Sequence, residues 1–495
     1  FSEVGIKTVI NGAITHTPDD NVLVGPQFGH RNFWNLCGSS IGIAQGGIGK
    51  YLAQWMVHGQ TELNMASLDS RRFGDWVDKE YCVTKAIESY EIMYTEVGAN
   101  ENRHHGRVRR ISPLYSLLNE KGAIHNVVAG FEKPLWFKTK AIQSEDLTWT
   151  RTNAHYAIAD ECKAVQNDVG VIDISGSSKF MVSGKDANKF LNFLSCNKLP
   201  QTIGAIGLTL FHSQRGGILT EQSITKINDD VYYLVGPILS ENRDQDWMQS
   251  HAKNFRVQIE NQTETTSSLL VTGPKSRELL QKIVKDDLSN SSLPWLKSKN
   301  MLIDSAQVRV IRVSYAGELG FELHMPNYQL ISIYESLSRI GEDMGLRDFG
   351  GYAFNSLRME KMYRAWGSEF TEEISGIEAG MEKFIDINRE FIGSENIKKR
   401  MNKDMDVVLV YLVFDDDIQS ECYGNEAVFY RDNLIGLTTS GAYGFRIKKS
   451  LAFAYIKPAF ANEGQKLKVL TTAGMRLCHI EVSAAYDPEN RKLRA

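Results

Sequence analysis

From Asp406 onward the chain reads as short apolar runs cut by turn residues: "VVLVYLVF", "EAVFYRDNLIGLTTSGAYG" and "LAFAYI". Little in this stretch repeats at helical spacing. Short strands in succession leave edges, and closure into a small antiparallel barrel removes them. Residues 401–495 are therefore expected to form a small antiparallel β-barrel.

The stretch before it, 151–400, mixes strand and helix signals. "GVIDISGSSKFMVSG" alternates, and "KDANKFLNFLS" is helical with Phe190, Leu191, Phe193 and Leu194 on one face. "SSLLVTGPKSRELLQKIV" reads as strand, Gly-Pro turn and helix. "AQVRVIRVSYAGELGFELHM" reads as two strands joined by a turn at Ala316-Gly317, and 327–344 and 350–364 read as helices. Residues 111–150 open with "SPLYSLLNEKGAIHNVVAGFEKPLWF", become polar, and read as a connecting segment. No internal repeat or low-complexity tract is found.

Residues 1–110 have α/β grammar: strand, glycine turn, helix. "NFWNLCG" reads as a short buried strand, glycines follow at Gly38, Gly42, Gly46, Gly47 and Gly49, and a helix is expected from about Gly49 to His58. "KTVINGAITHTPDD" has β character and ends in a turn at Pro18-Asp19-Asp20. "RRFGDWVDKEYCVTKAIESYEIMY" is helical, and the basic tract "NENRHHGRVRR" is expected to be an exposed loop. The chain opens "FSEVGIKTV" without Met, so a longer natural protein is expected.

Glycines that open a helix can cradle a phosphate. A dinucleotide fingerprint needs three of them after a strand, as G-x-G-x-x-G. Here Gly47-Ile48-Gly49 runs into Lys50, Tyr51 and Leu52, so the third is missing. A tight turn and a cofactor contact both remain open.

Three further clusters carry possible chemistry. In "HSQRGGILTEQSITK" a carboxylate, Glu221, follows a double glycine. In "SYAGELGFELH" Glu318 and Glu322 stand four apart beside Gly317 and Gly320. If a strand starts at Gly320, Phe321 and Leu323 face one side and Glu322 the other, where it can receive paired N–H donors. The alternatives are a solvated Glu221 and a hairpin with two exposed glutamates. In "NSLRMEKMYRAWGSEF" Arg358 and Glu360 cannot pair across one helical turn, so each needs another partner. For Arg358 that is either a ligand or a structural ion pair.

Composition removes several classes. A formal net charge of −4 gives no nucleic-acid footprint. The six cysteines lie far apart with no CxxC pair, which argues against a structural zinc or redox dithiol and for a reducing compartment. His16, His30, His104 and His105 show no metal-ligand spacing, and no metal is expected. No apolar run is long enough to span a membrane, and no signal peptide is found.

Taken together these stretches resemble the dimethylglycine dehydrogenase and sarcosine dehydrogenase family. From Ile111 the words "SPLY", "GFEKPLWF", "GVIDISGSSKF", "VTGPKSRELLQKI", "RVSYAGELGFELH", "SLRMEKMYRAWGSE", "FIGSENI" and "TTSGAYGFRIKKSLAFAYI" come in family order. That half is itself similar to the glycine-cleavage T protein, an aminomethyltransferase. "NGAITHTPDDNVLVGPQFGHRNFWNLCGSSIGIAQGGIGKYLAQWMVHG" is similar to the end of the family's flavoprotein domain.

The resemblance implies an α+β multidomain chain. Residues 1–110 would be the C-terminal part of an α/β FAD-dependent oxidoreductase domain, and 111–150 a connecting segment. Residues 151–400 would be an aminomethyltransferase-like folate-binding domain, and 401–495 the barrel. It implies FAD and tetrahydrofolate as cofactors, and oxidative demethylation of dimethylglycine or sarcosine with the one-carbon unit captured by folate. The substrate is a small molecule, and the electron acceptor of the reduced flavin is left open. The location would be cytoplasmic, or the mitochondrial matrix in a eukaryote.

By match to the T-protein "GGILDD" pattern, Glu221 is the candidate catalytic carboxylate, with Thr220 at the neighbouring acidic position. Glu322 matches the pterin-gripping glutamate, and Tyr315 and Arg358 match other folate-site residues. Gly46, Gly47, Ile48 and Gly49 match the loop whose helix N-terminus faces the flavin. The family's G-x-G-x-x-G and its flavin-anchoring histidine precede this segment, so the chain by itself is expected to hold FAD poorly. A flavin-independent, folate-dependent transferase is the alternative, and a non-catalytic folate-binding remnant a third possibility.

Overall fold

The structure, a computed structural model, describes residues 4–10, 12, 14–38, 45–96, 98, 101–401 and 405–495. The chain divides into two compact units, Phe1–Val97 with Arg103–Gly106, and Gly98–Asn102 with Arg107–Ala495.

In the smaller unit, β1 (Leu23–Pro26) and β2 (Trp34–Cys37) pair antiparallel, and α1 (Gln45–His58) and α2 (Lys79–Ile92) follow. Its core is Val24, Trp55 and Met65, with Trp34, Ile48, Tyr51 and Leu52 packed around them. The helix starts at Gln45, four residues ahead of expectation, so Gly46, Gly47 and Gly49 lie in its first turns. Residues 39–44, which carry most of the expected glycine turn, lie outside the described residues. The β character read into 7–20 yields no strand among its described residues. The described part of the basic tract, 101–110, is a loop that is solvated only in part. Within this unit Arg103 binds the buried Glu88 at 2.8 Å.

In the larger unit, α3 (Tyr115–Glu120) leads into the hairpin β3 (Ala123–Val128) and β4 (Phe131–Phe137). Here the same loop sends Arg107 to the buried Glu132, and Arg110, itself buried, to Glu241 at 2.8 Å. Then come α4 (Ala154–Asn167), β5 (Val169–Asp173), β6 (Ser178–Ser183), α5 (Ala187–Leu194), β7 (Ile206–His212), β8 (Ile218–Asn228) and β9 (Val231–Gly236). These are followed by α6 (Glu241–His251), β10 (Gln258–Asn261), β11 (Thr266–Thr272), α7 (Ser276–Gln281), β12 (Ser298–Ile303), β13 (Ala306–Ile311) and β14 (Gly320–Pro326). The last elements before the barrel are α8 (Leu330–Gly341), β15 (Leu346–Asp348), α9 (Gly351–Glu360) and α10 (Ser394–Met401).

Two sheets result. One is antiparallel in the order β10-β6-β9-β8-β7, and the other runs β12-β13-β14-β11-β5-β15 with β15 parallel to β5. One face of the six-stranded sheet buries Leu269, Val271, Phe321 and Leu323 against α3, α7 and α8. Each such side chain taken from water contributes about 1.5–3 kcal/mol. On α5, Phe190, Leu191 and Leu194 are buried as expected, whereas Phe193 lies at the helix margin and is 39% exposed.

The strands β16 (Val408–Phe414), β17 (Ala427–Tyr430), β18 (Asn433–Gly444), β19 (Lys449–Ile456), β20 (Lys466–Thr471) and β21 (Gly474–Glu481) close into the expected antiparallel barrel, in the order β16-β19-β18-β17-β20-β21. Its interior holds Val410, Leu412, Phe414, Val428, Ala452, Ile456, Val469 and Cys478. The α+β class with a C-terminal barrel is the observed one.

Candidate functional site

Period-two alternation decides which way the key carboxylates point. Along β8, Thr220, Gln222 and Ile224 turn toward the helices, where Thr220 and Gln222 donate to Asp244 on α6 at 2.8 and 2.9 Å. Glu221, Ser223 and Thr225 take the opposite face. Register carries that face sideways: Thr225 pairs with Tyr233, which pairs with Met181, and Ser223 pairs with Val235, which pairs with Lys179. This face meets the other sheet. Ile206 and Tyr233 pack on Ile311 of β13, and the Tyr233 hydroxyl lies 3.0 Å from His324 Nδ1 on β14. On β14, Phe321 and Leu323 are fully buried in the core behind, and Glu322 and His324 take the other side, as the alternation requires. Glu221 and Glu322 thus look into the space between the sheets from opposite walls.

Glu221 is half-buried, and its carboxyl forms no hydrogen bond or ion pair with any described residue. Burial pushes its carboxyl up to about 7, with Arg364 pulling down and Glu369 pushing up. A carboxyl balanced near neutrality and free of partners can both take and give a proton. Behind it Asp244 is also pushed up by burial, to about 6, and there three side chains satisfy it. Glu322 differs: its Oε2 lies 2.9 Å from His324 Nε2 and its side chain is 21% exposed. Lys179, fully buried, donates to the carbonyls of Ser175 and Ser177 at 2.7 and 2.9 Å, and burial lowers its ammonium to about 7.

Tyr315 lies in the connection between β13 and β14. That connection turns at Gly317 (φ +79°), where a Cβ would meet Lys361 Cγ at 2.3 Å. The Tyr315 hydroxyl donates to the Arg364 carbonyl at 2.5 Å, its ring stacks on Tyr363 at 5.6 Å, and Phe354 meets it edge-on. Burial raises its phenol against the pull of Arg358, and the Glu221 charge adds to the rise, so the hydroxyl stays a donor.

Arg358 is buried and its guanidinium is spent within the protein. It donates to Asn355 Oδ1 (2.8 Å), the Tyr363 carbonyl (2.9 Å), Glu369 Oε2 (3.1 Å) and Ser440 Oγ (3.0 Å). Glu360 is likewise engaged, accepting the backbone N–H of Arg446 and Ile447. Glu318 is buried rather than exposed, and binds Arg446 and Tyr486. Arg358 also lines a cavity of about 350 Å³ shared by α4, α9 and the barrel, with Arg151, His155, Tyr352 and Tyr443. Glu221, Tyr315 and Glu322 are not on its wall.

Sequence reasoning passed over Glu369, Arg364, Tyr233 and Lys179. Arg364 and Glu369 sit inside a word read for Arg358, and Tyr233 and Lys179 lie in strands whose facing partner only the tertiary fold supplies. In the smaller unit a Cβ at Gly46, Gly47 or Gly49 would meet nothing within 4 Å, so no contact with the described chain requires glycine there. Among the described residues no group of three or more His, Cys, Asp or Glu side chains could hold a metal ion, and no helix is long and apolar enough to cross a membrane.

Three family models match: the FAD dependent oxidoreductase central domain over 58–112, the GCVT N-terminal domain over 114–389, and the glycine cleavage T-protein C-terminal barrel domain over 408–487. Mitochondrial dimethylglycine dehydrogenase from Mus musculus is 36% identical over 477 residues, 95% of this chain and 54% of that protein. An aminomethyltransferase from Thermoanaerobacter sp. (strain X514) is 30% identical over 325 residues, 65% of this chain and 87% of its own. The crystal structure of glycine cleavage system aminomethyltransferase T from Bartonella henselae superposes with a TM-score of 0.67 at 21% identity, covering 77% of this chain and 98% of that one. The chain spans about half the length of the curated dehydrogenase it matches.

Proposed function

The chain belongs to the glycine-cleavage T-protein family, and from that premise we propose that it forms the folate-handling part of an enzyme that oxidatively demethylates dimethylglycine or sarcosine. Residues 1–110 are read as the end of its FAD-dependent oxidoreductase domain and 111–150 as the connecting segment. Residues 151–400 are read as the aminomethyltransferase-like domain and 401–495 as its barrel. The mitochondrial relative supports a matrix location.

FAD, when bound, supplies the acceptor for the hydride that leaves the N-methyl group. Gly46 and Gly47 would hold it through the free backbone N–H groups of the first turn of α1, whose dipole favours negative charge, with Ile48 and Gly49 completing the same turn. The fit is supported by the open space at the Cβ position of each of the three glycines. For the pterin of tetrahydrofolate, Glu322 offers Oε1, which has no partner among the described residues, to adjacent N–H donors. The Tyr315 ring closes the wall near Glu221. Arg358 acts one step away: by neutralising Glu369 it fixes the segment that carries Tyr363 and Arg364. Glu221 moves the proton between its own carboxyl oxygen and the folate nitrogen that receives the one-carbon unit.

The observation that carries this reading is the unpartnered Glu221 carboxyl, raised to about 7, opposite Glu322. In Glu221→Gln the rate of one-carbon transfer to tetrahydrofolate should fall by about 10²–10⁴, the range for losing a general acid–base group, with folate Kd within twofold. An unchanged rate removes Glu221 from the reaction. A second reading, a flavin-independent aminomethyltransferase, is favoured by the aminomethyltransferase match over 65% of the chain. Flavin absorbance in the full-length protein separates the two.

A further inference from the structure

Glu322 carries out its task with one oxygen already engaged. Oε2 lies 2.9 Å from His324 Nε2, and His324 Nδ1 lies 3.0 Å from the Tyr233 hydroxyl, so three side chains from β9 and β14 form one chain of hydrogen bonds. The imidazole is 1% exposed and Tyr233 fully buried, whereas the far end, Glu322, reaches the space between the sheets. We propose that Tyr233 and His324 are positioning residues that hold the Glu322 carboxylate in one rotamer and present Oε1 to the ligand, which deepens, and rests on, the reading of Glu322 as the pterin-binding group.

The donor and acceptor inventory fixes the direction of the chain. A carboxylate only accepts, so Nε2 must carry the proton and donate to Oε2. A neutral imidazole then has its lone pair on Nδ1, which accepts from the Tyr233 hydroxyl. Burial lowers the His324 imidazolium and raises the Tyr233 phenol, and both shifts favour this arrangement. Two more charged groups face the relay, beside Glu322 within it. Arg309 on β13 lies across the Tyr233 ring at 4.4 Å, with its Nε buried and unpartnered. Lys179 comes from β6, and Glu322 itself from β14. The two cations oppose protonation of His324, whereas Glu322 favours it; with burial added, the neutral tautomer prevails.

A carboxylate left free could rotate about χ2 and χ3 and would lose that freedom on binding. Held by His324, it keeps one oxygen and the outer lone pair of the other toward two adjacent N–H donors. The relay therefore acts on affinity for the ligand and not on the proton transfer at Glu221.

The test measures tetrahydrofolate Kd by quenching of protein fluorescence under anaerobic conditions, with kcat and thermal melting in parallel. His324→Leu removes the donor to Glu322, and Kd should rise about 10- to 100-fold, the scale of one hydrogen bond to a charged group, with kcat at saturating folate within twofold. His324→Gln places an amide N–H near the Nε2 position and should restore Kd to within threefold, whereas His324→Asn, whose amide reaches only the Nδ1 position, should behave as Leu. If Leu does not fold, the Gln and Asn pair still decides. Equal Kd in Gln and Asn, or a loss that follows the melting temperature in all variants, overturns the proposal. Glu322→Gln is the control for the reading beneath it. If that change leaves Kd unaltered, the pterin assignment fails; if it weakens binding while the His324 variants do not, only the relay fails.

Discussion

At the scale of single residues, burial sets protonation. Glu221 holds its proton up to about 7 in the folded chain, against 4.5 when unfolded. One-carbon transfer that uses the carboxylate as base should therefore rise with pH through about 7, a limb that Glu221→Gln abolishes. Stability moves the other way. Between pH 4.5 and 7 the native state binds more protons at this site than the unfolded state, so its contribution falls as pH rises across that window. His212 gives the opposite slope. It is fully buried, both ring nitrogens lack partners among the described residues, and burial with Arg400 nearby lowers it to about 3. Below its unfolded value of 6.5 the unfolded chain takes up a proton that the native state refuses. Stability should thus drop by up to about 1.4 kcal/mol per pH unit from 6.5 toward 3. Urea unfolding of His212→Leu at pH 7 and pH 5 should show a smaller difference than wild type; equal differences would contradict the assignment.

At the scale of elements, much is legible in the sequence, and the misses have one local cause and two tertiary ones. The barrel strands, the β13–β14 hairpin and α9 follow from periodicity, and Glu322 was correctly placed opposite Phe321 and Leu323 because alternation needs no tertiary information. α1 starts four residues ahead of the position that glycines, as turn formers, imply. A helix tolerates them at about 1 kcal/mol each. The described residues of 7–20 form no strand, because β propensity needs a partner surface. The basic loop at 100–110 looked solvated only because Glu88 and Glu132 are distant in sequence. Two measurements follow. Gly47→Ala should stabilise the chain by about 0.5–1 kcal/mol, since its Cβ meets open space, and, on the proposed flavin contact, should weaken flavin binding. Glu369→Ala leaves the buried Arg358 charge unpaired and should cost about 3–5 kcal/mol in chemical denaturation, far more than Arg358→Met combined with Glu369→Leu.

At the scale of the whole molecule, the two units have unequal cores. The smaller one rests on Val24, Trp55 and Met65, and leaves Ile6, Val9, Ile10 and Tyr94 more than four-fifths exposed. Calorimetry should show two transitions, the lower from this unit. Tetrahydrofolate at a hundred times its Kd should shift only the upper one, by about 2.7 kcal/mol in stability. A single transition that moves as a whole would refute this.

The position of Glu369 has a consequence for heredity. One oxygen is bound by Ser440 and Thr439 of β18, and the other by Arg358 of α9 and the Ala365 N–H. A substitution at any of these positions is felt by the barrel and by the segment that follows α9 together. Recombination with a crossover near residue 406 would therefore join halves that had not been selected as a pair. Chimeras should survive when α9, its following loop and the barrel come from one parent, and fail when they do not.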